Sequence, residues 1–195
     1  MTLHVKPGCD WDSVYAQAKE KAPEAFNSDS LNNFFQGEWH AVGETTGHAN
    51  PIDQQLIPGP PRVSHQTAVD AVAGATRQHH EWTKVSLEER KNRVALALNG
   101  LREVRDTIAL LLAWEIGKPW KLACADVDRC IDGVEWYLSQ IDRQMQGREP
   151  LPGPISNIAS WNYPLSVLVH AELVQVLAGN ATIAKTPSQG GFHSL

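Results

Sequence analysis

The sequence predicts an α/β fold in which an N-terminal arm and several helices precede a strand–helix–strand unit of a parallel sheet. Turn-forming glycines and prolines interrupt the short apolar runs of the first sixty residues. Apolar residues then recur at helical spacing as far as Gly147, and after Pro150 two short apolar segments flank one more helical stripe. We therefore divide the chain into an arm with short strands, residues 1–62, and an α/β domain, residues 63–195.

The composition is that of an ordinary folded domain. Of 195 residues, 42% are hydrophobic and 20% are charged, which excludes a collagen-like or wholly disordered chain. The net charge of -5 argues against nucleic acid as a partner, because phosphate neutralisation needs clustered Lys and Arg. The longest nearly apolar stretch, 165–178, is too short to cross a bilayer of about 30 Å. We therefore expect no membrane partner. The N-terminal residues do not show a charged start followed by a long apolar run, so we expect a cytoplasmic location.

Cysteine and histidine spacing gives no metal or disulfide signal. Cys9, Cys124 and Cys130 are odd in number and form no Cys-x-x-Cys pair, so we expect reduced thiols. Cys124 and Cys130 lie six residues apart in a helical pattern and are interpreted as buried small hydrophobes. The histidines contain no His-Glu-x-x-His, and we expect no metal site.

The arm is rich in aromatic residues, which predicts that it packs against another part of the chain rather than lying in solvent. These residues are Trp11, Phe26, Phe34, Phe35 and Trp39.

Two helices are predicted after the arm. The first runs from Thr67 to about Trp82, with Thr67 and Asp70 at the spacing of a capping pair. Ser86 and Glu89 repeat that signature at the start of the second. Its apolar spine is Val94, Leu98, Leu101, Val104 and Ile108. The arginines expected to face away from the spine are Arg90, Arg93, Arg102 and Arg105.

One or two more helices follow, so that three or four precede residue 147. The apolar segment from Ile108 to Ile116 is a short helix or a continuation of the preceding one, and Gly117-Lys118-Pro119 closes it in a way typical of a helix C-terminus. The next helix ends before Gly147, and its stripe consists of Cys124, Val127, Ile131, Val134, Leu138 and Ile141.

A βαβ unit is predicted after Pro150. Strands are expected at Ile155–Ala159 and Ala181–Ala184, with a helix between them over 165–177. Pro164 suits the first turn of that helix and Gly179-Asn180 suits its end. A connection of this length joins parallel strands, so both carboxyl ends should lie at one edge of the sheet.

Polar side chains stand at both of those strand ends, where open parallel sheets bind ligands. Asn162 lies between a strand and a helix N-terminus, so its amide can donate to a developing oxyanion, or it can merely shape the turn. Lys185 can hold a nucleotide hydroxyl or phosphate, or be a solvated lysine. Ser188 can cap a helix or contact a ribose. Neither Gly-x-Gly-x-x-Gly nor a phosphate-binding loop occurs.

Several motifs resemble one family when taken in order. They are Gly37-Glu38-Trp39, Asn50-Pro51, Trp82 with Glu89-Arg90, Glu115-x-Gly117-Lys118-Pro119, Trp161-Asn162-Tyr163-Pro164-Leu165, Leu177-Ala178-Gly179-Asn180 and Lys185-Thr186-Pro187. Their order and spacing over about Leu31 to Leu195 resemble the NAD(P)-dependent aldehyde dehydrogenases. The resemblance implies an incomplete aldehyde dehydrogenase fold with a Rossmann-like parallel sheet.

The resemblance also implies a function and a set of site residues. The activity would be oxidation of a small-molecule aldehyde to a carboxylic acid, with NAD or NADP as hydride acceptor. Asn162 corresponds to the oxyanion-hole amide, and Lys185 to the lysine that contacts the adenosine ribose. The strand end would line the cofactor cleft with Ile158, Ala159, Ser160 and Trp161. Ser188 stands where NAD-preferring members often carry Glu, which makes NADP plausible.

Departures from the family pattern set two further expectations. The family's catalytic Cys, its general-base Glu and the Gly-rich turn under the pyrophosphate would follow Leu195, so we expect residues 63–195 to be a partial NAD(P)-binding domain, with the catalytic domain absent and the isolated chain inactive. The segment between Met145 and Pro154 is shorter than the family's oligomerisation hairpin, which leaves the mode of homo-oligomerisation open. A second function is also open. The chain could be a non-catalytic nucleotide-binding or subunit-interaction module, and its edge strand at Ala181–Ala184 would then need a partner.

Overall fold

The computed structural model describes residues 9–28, 30–187 and 190–192. Within these ranges the chain is a mixed α/β structure of six α-helices and eight short strands. The helices are α1 (Trp11–Lys21), α2 (His65–Trp82), α3 (Leu87–Glu103), α4 (Arg105–Ile116), α5 (Trp120–Met145) and α6 (His170–Leu177). The strands are β1 (Phe26–Asn27), β2 (Ser30–Leu31), β3 (Asn33–Phe35), β4 (Glu38–His40), β5 (Glu44–Ala49), β6 (Leu56–Arg62), β7 (Ile155–Ile158) and β8 (Thr182–Lys185).

The N-terminal arm contains short strands, as predicted, but also a helix that was not. The strands form three antiparallel hairpins, β1–β2, β3–β4 and β5–β6. Ahead of them, α1 begins at Asp10, whose carboxylate accepts a hydrogen bond of 2.9 Å from the amide of Ser13. The helix buries Trp11, Val14 and Ala18. The expectation of short strands at best was therefore wrong for residues 11–21.

The arm packs on the helical part of the chain through aromatic rings. Trp11 is buried, and its ring centroid lies 6.3 Å from that of Trp114 in α4 and 5.7 Å from that of Phe192. The indole nitrogen of Trp114 donates to the carbonyl oxygen of Cys9 over 2.8 Å. The prediction that arm aromatics pack is confirmed for Trp11 and wrong for Phe34, which is 58% exposed.

Helix caps correct one predicted boundary and confirm another. Ser64, not Thr67, caps α2: its hydroxyl accepts from the amide of Thr67 over 3.1 Å, so the helix begins before the predicted capping pair. Ser86 caps α3 as predicted and accepts from the amide of Glu89 over 3.2 Å.

The predicted second helix is broken into α3 and α4. Val104 leaves helical geometry with φ -105° and ψ 8°, so the apolar spine continues across two helices. Two of the arginines expected to face away do not. Arg90 is buried, lies against Gly179 beyond the end of α6, and has its pKa lowered by burial. Arg105 forms a two-pronged ion pair with Asp128 of α5, at 2.7 Å and 2.6 Å.

The main core lies between α3, α4, α5 and α6. Gly117 ends α4 in the left-handed region at φ +67°, as the Gly-Lys-Pro pattern predicts. Helix α5 ends before Gly147, also as predicted. Cys130 is fully buried in this core, which confirms its interpretation as a small hydrophobe, whereas Cys124 is half-buried. In the part of the chain that the structure describes, no helix has the length and apolar character to span a bilayer.

The predicted βαβ unit is confirmed. Strands β7 and β8 pair in parallel, from Ile155 opposite Thr182 to Ile158 opposite Lys185. Their connection begins with a π-helical turn over Leu165–Val169, continues as α6, and ends at Gly179 with φ +100°. The strand boundaries differ from the predicted ones by one residue.

Candidate functional site

The predicted site residues gather at the carboxyl edge of the β7–β8 pair. Ile158 and Lys185 are register partners, and the amide of Ala159 donates to the carbonyl oxygen of Lys185 over 3.0 Å. The chain then runs through Ser160 and Trp161 to Asn162, at the entrance of the following helix. Ser188, the remaining predicted site residue, lies outside the described residues.

Most of this edge faces solvent. Ile158 is 76% exposed and Trp161 is 54% exposed. Ser160, Asn162 and Lys185 are also exposed, and Ala159 is half-buried. The ammonium of Lys185 donates to the carbonyl oxygen of Thr186 over 2.6 Å, which holds it beside the strand end. Exposed apolar surface next to an ammonium group suits a ligand that has a flat ring and hydroxyl or phosphate oxygens.

The turn that carries Asn162 is held from behind by a buried ion pair. Lys118 Nζ lies 2.9 Å from Asp126 Oδ2, with side chains 7% and 0% exposed. The same Nζ donates to the carbonyl oxygen of Asn162 over 2.9 Å. Asp126 Oδ1 accepts from the amide of Ser166 over 3.2 Å. The backbone of the turn is thus tied at both ends, while the side chain of Asn162 is exposed.

Sequence reasoning missed this ion pair. Lys118 was interpreted as part of the turn that ends α4 and of the Glu-x-Gly-Lys-Pro motif, with no partner assigned, and Asp126 was not singled out. A signal was present: Asp126 lies four residues before Cys130, on the same face of α5, and a carboxylate on a buried helix face needs a partner.

A ring lies beside the pair. Tyr163 follows Asn162, and its ring centroid lies 4.1 Å from Lys118 Nζ and 5.5 Å from the guanidinium carbon of Arg129. The carbonyl oxygen of Tyr163 accepts from the amide of Val167 over 3.1 Å, which starts the helical connection directly after Asn162. Two amides of that first turn therefore have acceptors: the amide of Ser166 donates to Asp126 Oδ1, and the amide of Val167 donates to the carbonyl oxygen of Tyr163.

Cys130 is buried in the main core, where its thiol is poorly suited to act as a nucleophile. Burial raises the pKa of the Cys130 thiol to about 12, with smaller contributions from the charges of Asp126 and Glu172. Across residues 9–28, 30–187 and 190–192, no three or more His, Cys, Asp or Glu side chains are grouped so as to hold a metal ion.

Comparison with known proteins gives consistent matches. A family model described as "Aldehyde dehydrogenase family" matches residues 39–195. The chain is 28% identical over 147 residues to 1-pyrroline-5-carboxylate dehydrogenase 1 of Halalkalibacterium halodurans, covering 69% of this chain and 28% of that protein. It therefore spans less than a third of that relative's length.

Solved structures show the same fold. The 1-pyrroline-5-carboxylate dehydrogenase from Thermus with bound NAD superposes with a TM-score of 0.72 at 21% identity, covering 97% of this chain and 40% of that one. The NADP complex of NADP-dependent glyceraldehyde-3-phosphate dehydrogenase from Bacillus halodurans gives a TM-score of 0.75 at 24% identity, covering 83% and 38%. Since the family model accounts for most of its residues, the chain belongs to the aldehyde dehydrogenase family.

Proposed function

We propose that residues 1–195 form the N-terminal part of an enzyme that oxidises an aldehyde to a carboxylic acid with NAD or NADP. The arm would be residues 1–62 and the partial cofactor-binding domain residues 63–195. The observation that carries the proposal is the parallel pairing of β7 and β8, which sets Ile158 beside Lys185 and leads the chain directly to Asn162. Ligands of open parallel sheets bind at this edge.

In this proposal Asn162 is the oxyanion donor. Attack of a thiolate on an aldehyde carbon converts the carbonyl oxygen to an oxyanion, and an exposed side-chain amide at a helix entrance can donate a hydrogen bond to it. A donor that is held in place before the reaction stabilises the transition state without having to reorganise.

The cofactor would lie along the strand end. NAD or NADP supplies the hydride acceptor when bound. Exposed Ile158 and Trp161 would contact its rings, together with Ala159 and Ser160, and the exposed ammonium of Lys185 would donate to the adenosine ribose. This donor set fits one wall of a nucleotide cleft. The choice between NAD and NADP, for which Ser188 favours NADP, stays a prediction, as does the cytoplasmic location.

The nucleophile and general base would come from outside this chain. A nucleophilic cysteine needs a lowered pKa and access to substrate, whereas Cys130 is buried with a raised pKa. Isolated residues 1–195 would therefore show no aldehyde-dependent reduction of NAD or NADP. Turnover that disappears on replacing Cys124 alone would contradict this.

The aldehyde substrate is proposed from the relatives. Those from Halalkalibacterium halodurans and Staphylococcus aureus are named 1-pyrroline-5-carboxylate dehydrogenases, so the first substrate to test is the open-chain aldehyde that forms when water adds to the C=N bond of 1-pyrroline-5-carboxylate.

The decisive experiment is Asn162→Ala in the complete enzyme. Loss of one oxyanion donor is expected to lower the single-turnover rate of NAD(P)H formation by about 10² to 10³. The matched control is Asn99→Ala, which removes an exposed amide whose oxygen accepts a hydrogen bond of 3.1 Å from Arg102 on the same helix, α3. An unchanged single-turnover rate in Asn162→Ala would remove Asn162 from the mechanism.

The intact mass of the natural protein tests the alternative of a non-catalytic module. An antibody raised against residues 1–195 would detect a species well above 21.5 kDa if the chain is part of a complete enzyme. A species at 21.5 kDa would favour a nucleotide-binding or subunit-interaction role, in which the exposed strand end at Ile158 would meet a partner.

A further inference from the structure

We infer that Lys118 and Asp126 are positioning residues for the oxyanion donor: their buried ion pair sets the backbone of the Asn162 turn and so aims its amide. The inference rests on the proposed function of Asn162. Burying two charges carries a large desolvation penalty, and a buried ion pair is often no more stable than apolar residues of similar volume. Both side chains are nevertheless buried, at 7% and 0% exposure.

The contacts of the pair are concentrated on one short segment. Lys118 reaches the carbonyl oxygen of Asn162, and Asp126 reaches the amide of Ser166. Between these two points lie Tyr163, whose ring faces Lys118 Nζ, and Pro164, whose ring restricts its own φ. Each charge therefore satisfies one backbone group of the turn that is not used by regular secondary structure.

This arrangement fixes the backbone of Asn162 without engaging its side chain. Among the described residues the structure gives the Asn162 amide no hydrogen-bond partner, so its direction is determined by the backbone that carries it. Effective oxyanion donors are held in place before the reaction, and a misplacement of about 1 Å can cost about 10²-fold in rate. Lys118 and Asp126 come from α4–α5, outside the strand–helix unit, and thereby brace the turn against a rigid core.

The test is a double-mutant cycle in the complete enzyme between Lys118→Met and Asn162→Ala. If Lys118 acts through Asn162, Lys118→Met alone lowers the single-turnover rate by about 10-fold to 10². In the Asn162→Ala background the same change then lowers the rate less than about twofold, because the donor to be positioned is already gone. Lys118→Arg, which keeps a buried cation, recovers part of the lost rate.

A second lysine supplies the matched control. Lys91 of α3 forms an ion pair of 3.0 Å with Asp142 of α5. Like Lys118, it pairs with an aspartate of α5, but this pair lies at the surface and does not contact the Asn162 turn. Lys91→Met is expected to leave the rate within about twofold of the parent. The dissociation constant of NAD(P) should change little in either lysine variant, since neither lysine stands on the cofactor strand end.

Amide hydrogen exchange on residues 1–195 measures how firmly Lys118 and Asp126 hold the backbone of the 162–166 segment, and it does not require turnover. In Lys118→Met and Asp126→Asn, exchange is expected to rise at least about 10-fold for the 162–166 segment and to remain unchanged in β7. Exchange that rises everywhere would mean that the pair only holds the fold together, and unchanged exchange at 162–166 would also overturn the inference.

The kinetic outcomes separate the two proposals. Equal losses from Lys118→Met in both backgrounds, or a rate within twofold of the parent, overturn the positioning role and leave Asn162 as oxyanion donor. No loss from Asn162→Ala itself overturns the proposed function, and the positioning role with it.

Discussion

A buried carboxyl on α6 makes the stability of this protein depend on pH in a calculable way. Glu172 Oε1 is buried and, within the described part of the chain, has no hydrogen-bond partner. Burial raises the pKa of Glu172 from 4.5 to about 7. The difference, at about 1.4 kcal/mol for each pH unit, corresponds to about 3 kcal/mol. In the folded protein the neutral acid is favoured, so this stability is present below pH 4.5 and is lost as the pH rises to about 7.

The perturbation that isolates this effect is Glu172→Gln, which has nearly the same shape and is neutral at every pH. Urea unfolding is compared for both proteins at pH 4.5 and pH 8. The variant is expected to be more stable than the parent by up to about 3 kcal/mol at pH 8 and nearly equal at pH 4.5. His170, whose pKa is lowered by burial, titrates in both proteins and cancels in the difference.

A surface glutamate provides the control for this measurement. Glu135 forms an exposed ion pair of 3.0 Å with Arg102, and Glu135→Gln is expected to change stability by less than about 1 kcal/mol at both pH values. A difference between Glu172→Gln and the parent that is the same at pH 4.5 and pH 8 would refute the reasoning, because it would mean that Glu172 titrates alike in the folded and unfolded chain.

Two further predictions concern backbone conformation and thiol chemistry. Gly179→Ala is expected to lower the free energy of unfolding by about 2 kcal/mol or more, since φ is +100° and the new methyl group would overlap the Arg90 guanidinium. Gly100→Ala, whose methyl group meets no atom within 4 Å, should raise it by about 0.5–1 kcal/mol, and urea unfolding in which the two variants behave alike would contradict this. Iodoacetamide at pH 8 should alkylate Cys130 at least about 10²-fold more slowly in the folded chain than in denaturant, because burial raises its pKa to about 12; peptide mass spectrometry showing equal rates would exclude a suppressed thiolate.

Local sequence signals predicted the elements whose boundaries are set locally. Ser86 caps α3 by a bond to a residue three positions on, and Gly117 ends α4 by taking the left-handed conformation. The βαβ unit was predictable because the helical period between its strands agrees with Pro164 at the start and Gly179 at the end. Each of these signals lies within a few residues of the feature that it predicts.

Elements fixed by distant packing were not predictable in this way. Helix α1 buries only Trp11, Val14 and Ala18, too few for a strong apolar period, and Trp11 packs against Trp114 and Phe192, which are far away in sequence. The same reason explains the error at Arg90. A long charged side chain normally marks the exposed face of a helix, but here the absence of a side chain at Gly179 leaves room for its guanidinium.

The ion pair behind the candidate site could be predicted from the sequence only in part. Its members are eight residues apart: Lys118 lies in the turn between α4 and α5, and Asp126 lies on α5, so their meeting depends on local structure. What local sequence signals do not reveal is the third partner, the backbone of Asn162, which lies 44 residues after Lys118 and follows strand β7. The side chains that we propose to contact a ligand were placed from the predicted strand ends and stay a prediction, whereas the residues that hold the Asn162 turn had to come from the folded structure. The signal that the sequence does contain is Asp126, a carboxylate on a buried helix face, because a buried negative charge requires a cationic partner. Here that partner is Lys118, and its second contact is the backbone of the Asn162 turn.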